Sequence, residues 1–213
     1  MKITILNTSK NHPINSWLNC WIDKYNGKHE IKLIRSKIDI DSGDILFLIS
    51  CSDIIFKSDR EKFNKTLLIH ASDLPKGRGW SPHIWSIING EEKITLSLLE
   101  AADKIDSGDI WKKIKITIPN TALYEEINKL IFSAELELMD FAIENFLRII
   151  PYEQPAIEPS YYSKRMPQDS EINIYKSIDE QFDLIRVSDE KRFPAFFYKN
   201  GQKFKLKIEK MND

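Results

Sequence analysis

Two short segments carry side chains suited to acid–base chemistry. His70 ends an apolar run and opens a loop with the sequence HASDLPKGRG, whose proline and glycines are typical of a rigid turn. Asp106 lies in a second turn, DSGDI, farther along the chain. An imidazole can donate or accept a proton near neutral pH, and a nearby carboxylate favours its charged form. The pair indicates chemistry in a shared cleft.

The elements before this cleft alternate between strand and helix patterns. An amphipathic helix pattern begins at Ile14, and a further helix is predicted to start at Pro82. The rhythm predicts an α/β fold with a Rossmann-like, mostly parallel sheet and helices on both faces. Ligands of such sheets lie beyond the carboxyl ends of the strands, where His70 falls. The runs that are apolar enough for buried strands are residues 3–6, 31–34, 44–50 and 66–70.

The first predicted strand is followed by a turn, residues 7–12, that contains no glycine. Dinucleotide fingerprints and P-loops need glycines there, because the backbone must approach a phosphate closely. This turn therefore excludes both signatures and gives no indication of a nicotinamide cofactor or ATP.

Composition and charge narrow the class of protein. The 213 residues are 42% hydrophobic, which suffices for a full core, and the formal net charge of −1 argues against a dedicated nucleic-acid partner. No signal peptide or membrane-length apolar segment is present, so a cytoplasmic protein without a membrane partner is expected. Cys20 and Cys51 lack metal-ligand spacing, so we expect free structural thiols and no metal.

The chain after residue 120 begins with a long apolar helical stripe over residues 121–149, which Pro151 is predicted to stop. We divide the chain into a core of residues 1–150 and an extension of residues 151–213. The extension is predicted to contain a linker, a helix and a hairpin. The residues predicted to face inward from that helix are Ile178, Phe182 and Ile185.

Two local signals support these elements of the extension. Ser177 and Glu180 form a capping-box pattern at the start of the helix, and Asn200-Gly201 supplies the turn of the hairpin. The hairpin can either cap the core or pair with a second copy of the chain. A homodimer and a monomer both remain open.

Several ordered blocks resemble the formyl-tetrahydrofolate-dependent formyltransferase family. They are residues 70–79, 81–90 (SPHIWSIING), 106–110 and 161–172 (YYSKRMPQDSEI), and the likeness runs from about residue 44 to 200. The resemblance implies transfer of a formyl group from the nitrogen of formyl-tetrahydrofolate to an amine. It also implies that His70 donates to the developing oxyanion, while Asp106 holds His70 and takes the amine proton directly or through water.

One position departs from the family pattern. Two residues before the histidine the family usually has an asparagine whose amide binds the oxyanion, and this chain has Leu68. Loss of such a donor costs about 3 to 4 kcal/mol in other oxyanion holes. We expect another group to substitute, and the candidates are Ser72, Ser50 or a backbone amide.

The resemblance also locates the two ligands. Flat pterin rings need apolar walls and backbone hydrogen bonds, whereas a nucleotide diphosphate needs cations and stacking surfaces. The residues expected at the folate are Ser52, Ile54, Ile55, Leu74 and Asp103. Those expected at the acceptor are Arg78, Trp80, Tyr161, Tyr162, Lys164 and Arg165.

The acceptor is inferred by elimination among the branches of the family. The methionyl-tRNA branch carries an additional carboxyl-terminal domain, and the glycinamide-ribonucleotide branch has a glycine-bearing first loop. What remains is a nucleotide-linked 4-amino-4,6-dideoxy sugar of the pseudaminic-acid type. Two alternatives stay open: an aminoacyl acceptor as in the peptide-synthetase or tRNA branches, and a non-catalytic homologue that binds folate or a sugar nucleotide.

Overall fold

A computed structural model describes residues 1–211 of the chain. Its strands are β1 (Lys2–Leu6), β2 (Glu30–Ile34), β3 (Gly43–Leu48), β4 (Phe63–His70), β5 (Arg78–Gly79), β6 (Lys93–Glu100), β7 (Ile110–Thr117), β8 (Tyr161–Tyr162), β9 (Phe196–Lys199) and β10 (Gln202–Lys205). Its helices are α1 (Ile14–Tyr25), α2 (Lys57–Arg60), α3 (Pro82–Ile88), α4 (Tyr124–Asn145) and α5 (Phe182–Arg186).

The main sheet has the strand order β2-β1-β3-β4-β6-β7. Strands β2, β1, β3 and β4 are parallel, β6 is antiparallel to β4, and β7 is antiparallel to β6. Strand β6 therefore runs against the other five, and the prediction of an α/β fold with a mostly parallel sheet is confirmed. Strand β7 forms one edge of the sheet.

One face of the sheet is covered by the long helices α1 and α4. Ile5 and Phe47 of the sheet share a core with Trp21 of α1 and Leu138 of α4, and all four side chains are buried. Asp140 of α4 fixes the two helices together, because its Oδ1 accepts hydrogen bonds from Trp21 Nε1 at 2.7 Å and Tyr25 Oη at 2.9 Å.

The opposite face carries a smaller apolar cluster beneath short elements. Leu6, Leu46 and Ile55 are buried there together with Phe63. The single-turn helix α2 lies between Ile55 and Phe63 in the chain. This face therefore leaves room for loops, and the candidate site is built on it.

Helix α4 ends earlier than the sequence pattern predicts. The sequence predicts a stop at Pro151, but the helix ends at Asn145. The side chain of Asn145 donates to the Phe141 carbonyl at 2.9 Å, and its own carbonyl accepts from Arg148 N at 2.8 Å. A turn at Asn145 therefore replaces the stop at the proline.

The extension contains the predicted capping box and hairpin. Glu180 accepts from Ser177 N at 2.9 Å, and Ser177 Oγ accepts from Glu180 N at 3.2 Å. The helical segment behind this box is a 3-10 turn followed by α5, which is shorter than expected. Ile185 is buried, but Ile178 is 60% exposed, so the inward orientation predicted for Ile178 is wrong. Ile178 precedes the helical turn instead of facing the core from within it.

The two strands of the hairpin, β9 and β10, are joined by Asn200 and Gly201, both of which have positive φ. Phe197 and Phe204 stack across it with ring centroids 5.5 Å apart. None of the helices between residues 1 and 211 combines the length and apolarity that a bilayer crossing requires.

Candidate active site

His70 is buried at the carboxyl end of β4. Its Nε2 lies 2.8 Å from the carbonyl oxygen of Gly77. Because a carbonyl only accepts, Nε2 carries a proton and donates it to Gly77. The other ring nitrogen, Nδ1, faces Oδ2 of Asp106 at 3.6 Å. The structure thus brings together the two residues that the sequence singled out, and it leaves Nδ1 as the edge of the ring that can meet a substrate.

Asp106 lies in the loop between β6 and β7, and its side chain is as enclosed as that of His70. Its φ of +51° is in the left-handed region, which is unusual for a residue other than glycine. Its Oδ2 accepts a hydrogen bond from Gly79 N at 2.9 Å. Backbone strain of this kind persists only where the surroundings enforce it, and it is frequent at functional sites.

Gly108 allows this loop to fold back on the sheet. A Cβ at this position would lie 1.9 Å from the carbonyl oxygen of Glu100, so no side chain fits. The loop is also tied to the strand, because Glu100 N donates to the Asp109 carbonyl at 2.9 Å. The close approach of the two backbones places the catalytic candidate Asp106 over the sheet.

Ser72 offers an unused donor close to His70. Its Oγ is buried and has no hydrogen-bond partner in the described part of the chain. An ideal Cβ at Gly77 would lie 3.5 Å from this Oγ, so the hydroxyl lies beside the residue whose carbonyl accepts the hydrogen bond from His70. A buried hydroxyl without a partner is unfavourable, and a ligand oxygen would remove that cost.

Leu68 lies two residues before His70 on β4, so both side chains leave the same face of the strand. It packs against a buried cluster of Leu74, Leu99 and Ile110. Position 68 is therefore an apolar contact in this chain and supplies no polar group to the site.

The loop after His70 is held on two sides. Lys113 Nζ of β7 binds the carbonyl of Leu74 at 2.8 Å and Asp73 Oδ1 at 2.6 Å. On the other side Gly77 N donates to Ser160 Oγ at 2.9 Å, and β5 pairs with β8 in parallel. Residues of the extension thus form part of the wall around His70.

The residues expected at the folate fall into two groups. Ser52 and Ile54 are exposed, and Ile54 is 66% accessible, so both are open to a ligand. Ile55 and Leu74 are buried in apolar clusters, which differs from the expectation that they form walls of an open pocket. Their side chains are packed within the core and are therefore not free to contact a pterin ring.

Asp103 is paired with an arginine of α2. Its carboxylate accepts a hydrogen bond from Arg60, and this bond together with the charge of Arg60 lowers the pKa of Asp103. Arg60 Nη1 also donates to the Ile55 carbonyl at 2.8 Å. One guanidinium therefore joins the segment around residue 55 to the segment around residue 103, the two segments expected to hold the folate.

Three of the residues expected at the acceptor, Trp80, Tyr161 and Lys164, are accessible, and we call the surface they form the ledge. Trp80 and Tyr161 are 41% and 63% exposed. Lys164 Nζ lies 4.9 Å from the centre of the Trp80 ring, and Tyr162 stacks on Trp85 with an angle of 17° between the rings. A flat base and a phosphate group would find stacking surface and positive charge here.

The two arginines expected at the acceptor do not present free guanidinium groups. Arg165 is buried, and its Nη2 donates to Ser170 Oγ at 2.9 Å. Burial also lowers the pKa of Arg165. Arg78 donates to Gln154 Oε1 at 2.7 Å and lies 3.4 Å from Tyr161 Oη. The expectation that Arg165 grips phosphate oxygens therefore disagrees with its position inside the protein.

Gln154 was not anticipated from the sequence. Its Nε2 donates to the carbonyls of Asp106 and Gly108, at 2.8 and 2.9 Å. It stands between two prolines in a polar segment, and no motif marks it. Only the long-range approach of the extension to the loop of Asp106 shows that it belongs to the site.

Comparison with known proteins identifies the family of the chain. Residues 25–143 match the family model described as "Formyl transferase". Methionyl-tRNA formyltransferase of Finegoldia magna is 27% identical over 172 residues, covering 79% of this chain and 54% of the relative. The chain spans about half the length of the curated relatives it matches.

Two solved structures have the same fold. Methionyl-tRNA formyltransferase from Clostridium thermocellum superposes with a TM-score of 0.84 at 24% identity, covering 100% of this chain and 94% of the other. A 4-N formyltransferase from Francisella tularensis superposes with a TM-score of 0.70 at 20% identity, covering 100% and 98%.

Proposed function

The chain belongs to the formyl transferase family, and we propose that it transfers a formyl group from formyl-tetrahydrofolate to the amine of a nucleotide-linked 4-amino-4,6-dideoxy sugar. The observation that carries the transfer chemistry is the placement of His70 Nδ1 against Asp106 Oδ2 at the carboxyl end of the sheet. The observation that favours a nucleotide sugar is the accessible ledge of Trp80, Tyr161 and Lys164.

In the proposed reaction the amine nitrogen forms a bond to the formyl carbon. Negative charge then builds on the formyl oxygen, to which the Ser72 hydroxyl donates a hydrogen bond, as does Nδ1 of His70 when the ring is the imidazolium with a proton on each nitrogen. Asp106 takes the proton that the new ammonium releases, directly or through water. The bond between the formyl carbon and the folate nitrogen breaks, and that nitrogen takes up a proton, which balances the transfer.

Formyl-tetrahydrofolate is the donor that the family resemblance implies. The segment with Ser52 and Ile54 is open to a ligand, and Arg60 joins it to the loop of Asp103. We assign the pterin to the space between these two segments, with Ile54 as an apolar contact.

A second candidate acceptor is an aminoacyl group, because a curated relative and a solved relative are both methionyl-tRNA formyltransferases. The additional carboxyl-terminal domain expected of the tRNA branch does not decide between the two acceptors. The solved Clostridium thermocellum chain is matched over 94% of its length.

The experiment is acceptor profiling by mass spectrometry. The protein is incubated with formyl-tetrahydrofolate and, separately, with UDP- and dTDP-linked 4-amino-4,6-dideoxy sugars and with methionyl-tRNA. A mass gain of one formyl group on a sugar, abolished in His70→Ala, supports the proposal. A gain on methionyl-tRNA alone transfers the assignment to the aminoacyl acceptor. No gain on any acceptor, with folate binding intact, indicates a homologue that binds without reacting.

A further inference from the structure

We propose that Gln154 is a positioning residue that holds Asp106 in its reactive geometry. The inference rests on the proposed function, since it concerns the same carboxylate. One side-chain amide of Gln154 reaches two main-chain carbonyls of the β6–β7 loop, at 2.8 Å for Asp106 and 2.9 Å for Gly108. Both distances are those of well-formed hydrogen bonds.

These two hydrogen bonds hold the backbone at Asp106 in a conformation that is unfavourable without such support. Asp106 has φ of +51°, which a free chain rarely adopts at an aspartate. Its carboxylate is fixed separately, by the hydrogen bond from Gly79 N. Gln154 thus holds the main chain of Asp106, and Gly79 holds its side chain. Together they set the direction from Oδ2 to His70.

The orientation of the Gln154 amide follows from its partners. Carbonyls only accept hydrogen bonds and a guanidinium only donates them. Nε2 must therefore face Asp106 and Gly108, while Oε1 must face Arg78, whose Nη2 lies 2.7 Å away. All three contacts use this one orientation, so Gln154 is a rigid link.

The link joins the catalytic loop to the acceptor side of the site. Arg78 belongs to β5, which pairs with Tyr161 and Tyr162 of β8. Its Nη1 also lies 3.4 Å from Tyr161 Oη. Together with the hydrogen bond from Gly79 N to Asp106 Oδ2, Gln154 thereby helps to fix the distance between Asp106 and the surface that we assign to the acceptor.

The experiment compares Gln154→Ala, Gln154→Glu and a matched control, Gln202→Ala, which changes an exposed glutamine of the hairpin. Gln154→Glu keeps an acceptor for Arg78 but loses both N–H donors and turns a carboxylate toward two carbonyl oxygens. We expect kcat to fall by about 10²-fold in both Gln154 variants, since small misplacements of a catalytic group have effects of this size. KM values and the control should stay close to wild type.

A second readout does not depend on turnover. Amide hydrogen exchange of residues 101–109 should become faster in Gln154→Ala, while exchange in the core strand of residues 43–48 stays unchanged. An unchanged kcat, or faster exchange spread equally over both segments, overturns the proposal, because Gln154 would then be dispensable or merely structural. If the wild-type chain transfers no formyl group, the proposed function fails. Amide hydrogen exchange then becomes the only test of whether Gln154 positions the loop. Local loosening at residues 101–109 then upholds the positioning role, and its absence refutes it.

Discussion

Oδ2 of Asp106 lies between two partners, 2.9 Å from the amide nitrogen of Gly79 and 3.6 Å from Nδ1 of His70. The shorter contact fixes the carboxylate by a main-chain donor. The longer one exceeds the usual hydrogen-bond distance, so the two side chains are neighbours without a direct hydrogen bond between them. This arrangement suits a carboxylate that must stay in place while the group it serves changes its charge.

Replacing either side chain should remove activity without unfolding the protein. We expect His70→Ala and Asp106→Asn each to lower kcat by about 10²- to 10⁴-fold, the usual contribution of a positioned acid or base. His29→Ala, which changes a histidine beside the amino terminus, is the matched control. Formyl transfer is measured alongside the thermal midpoint. Full activity in His70→Ala would remove it from the mechanism.

Ser72→Ala tests whether the Ser72 hydroxyl replaces the family amide that is missing at Leu68. Since Ser72 Oγ is buried without a partner, its removal should leave stability unchanged or slightly higher. If the hydroxyl binds the oxyanion, kcat should fall by about 10²- to 10³-fold. Urea unfolding and steady-state kinetics on the same preparation separate the two effects. A wild-type rate would assign the missing hydrogen bond to a different group.

Gly108→Ala should displace the loop that carries Asp106. Its added methyl would lie 1.9 Å from the Glu100 carbonyl, so the two backbones must move apart. We expect a loss of about 1 to 3 kcal/mol in the free energy of unfolding, together with a large fall in kcat. Gly27→Ala is the comparison, because Gly27 has open space around it, so any stability lost there comes from its φ of +80° and not from a clash with another backbone. If Gly108→Ala lowers stability but leaves kcat unchanged, the position of this loop does not determine the rate of turnover.

The side chain of Glu135 in α4 makes stability depend on pH. Burial raises the pKa of Glu135 from 4.5 to about 8, and its Oε2 has no hydrogen-bond partner among the described residues. The folded protein therefore keeps a proton that the unfolded chain has lost, so this group lowers stability as pH rises from about 4.5 to about 8.

Glu135→Gln removes that titration. The variant should be more stable than the wild type at pH 8 and should lose this advantage near pH 4.5, as measured by urea unfolding at both values. Glu137→Gln, on the exposed side of the same helix, is the comparison. An equal gain at both pH values would attribute the effect to packing instead of proton binding.

Much of the fold could be predicted because it rests on local patterns. The apolar runs for β1 to β4, the helix from Ile14 and the hairpin at Asn200 and Gly201 are each encoded within a few residues. The reversed direction of β6 could not be read in this way. It depends on how α3 and the following turn return the chain to the sheet, which no single segment specifies.

In the candidate site, too, the residues marked by local sequence could be predicted and those that depend on long-range contacts could not. His70 and Asp106 are marked by their positions next to a strand end and a turn, and the structure places them together. Burial separates the remaining candidates, because Arg165 is enclosed with Ser170 whereas Trp80 is accessible. Gln154 escaped notice because its partners are main-chain carbonyls, which have no signature in a sequence.

Within residues 1–211, strand β7 leaves one edge of the main sheet without a neighbouring strand along most of its length. Only Ile110, at its start, is bridged by Tyr152. The rest of the strand carries Lys112, Lys113 and Lys115. Charged side chains on such an edge oppose the docking of a second strand, because ammonium groups would have to be desolvated and brought together. Lys113 is already engaged with Asp73 and Leu74, so the exposed Lys115 is the residue expected to oppose edge-to-edge aggregation, and replacing Lys115 with an apolar residue would weaken that protection at high protein concentration.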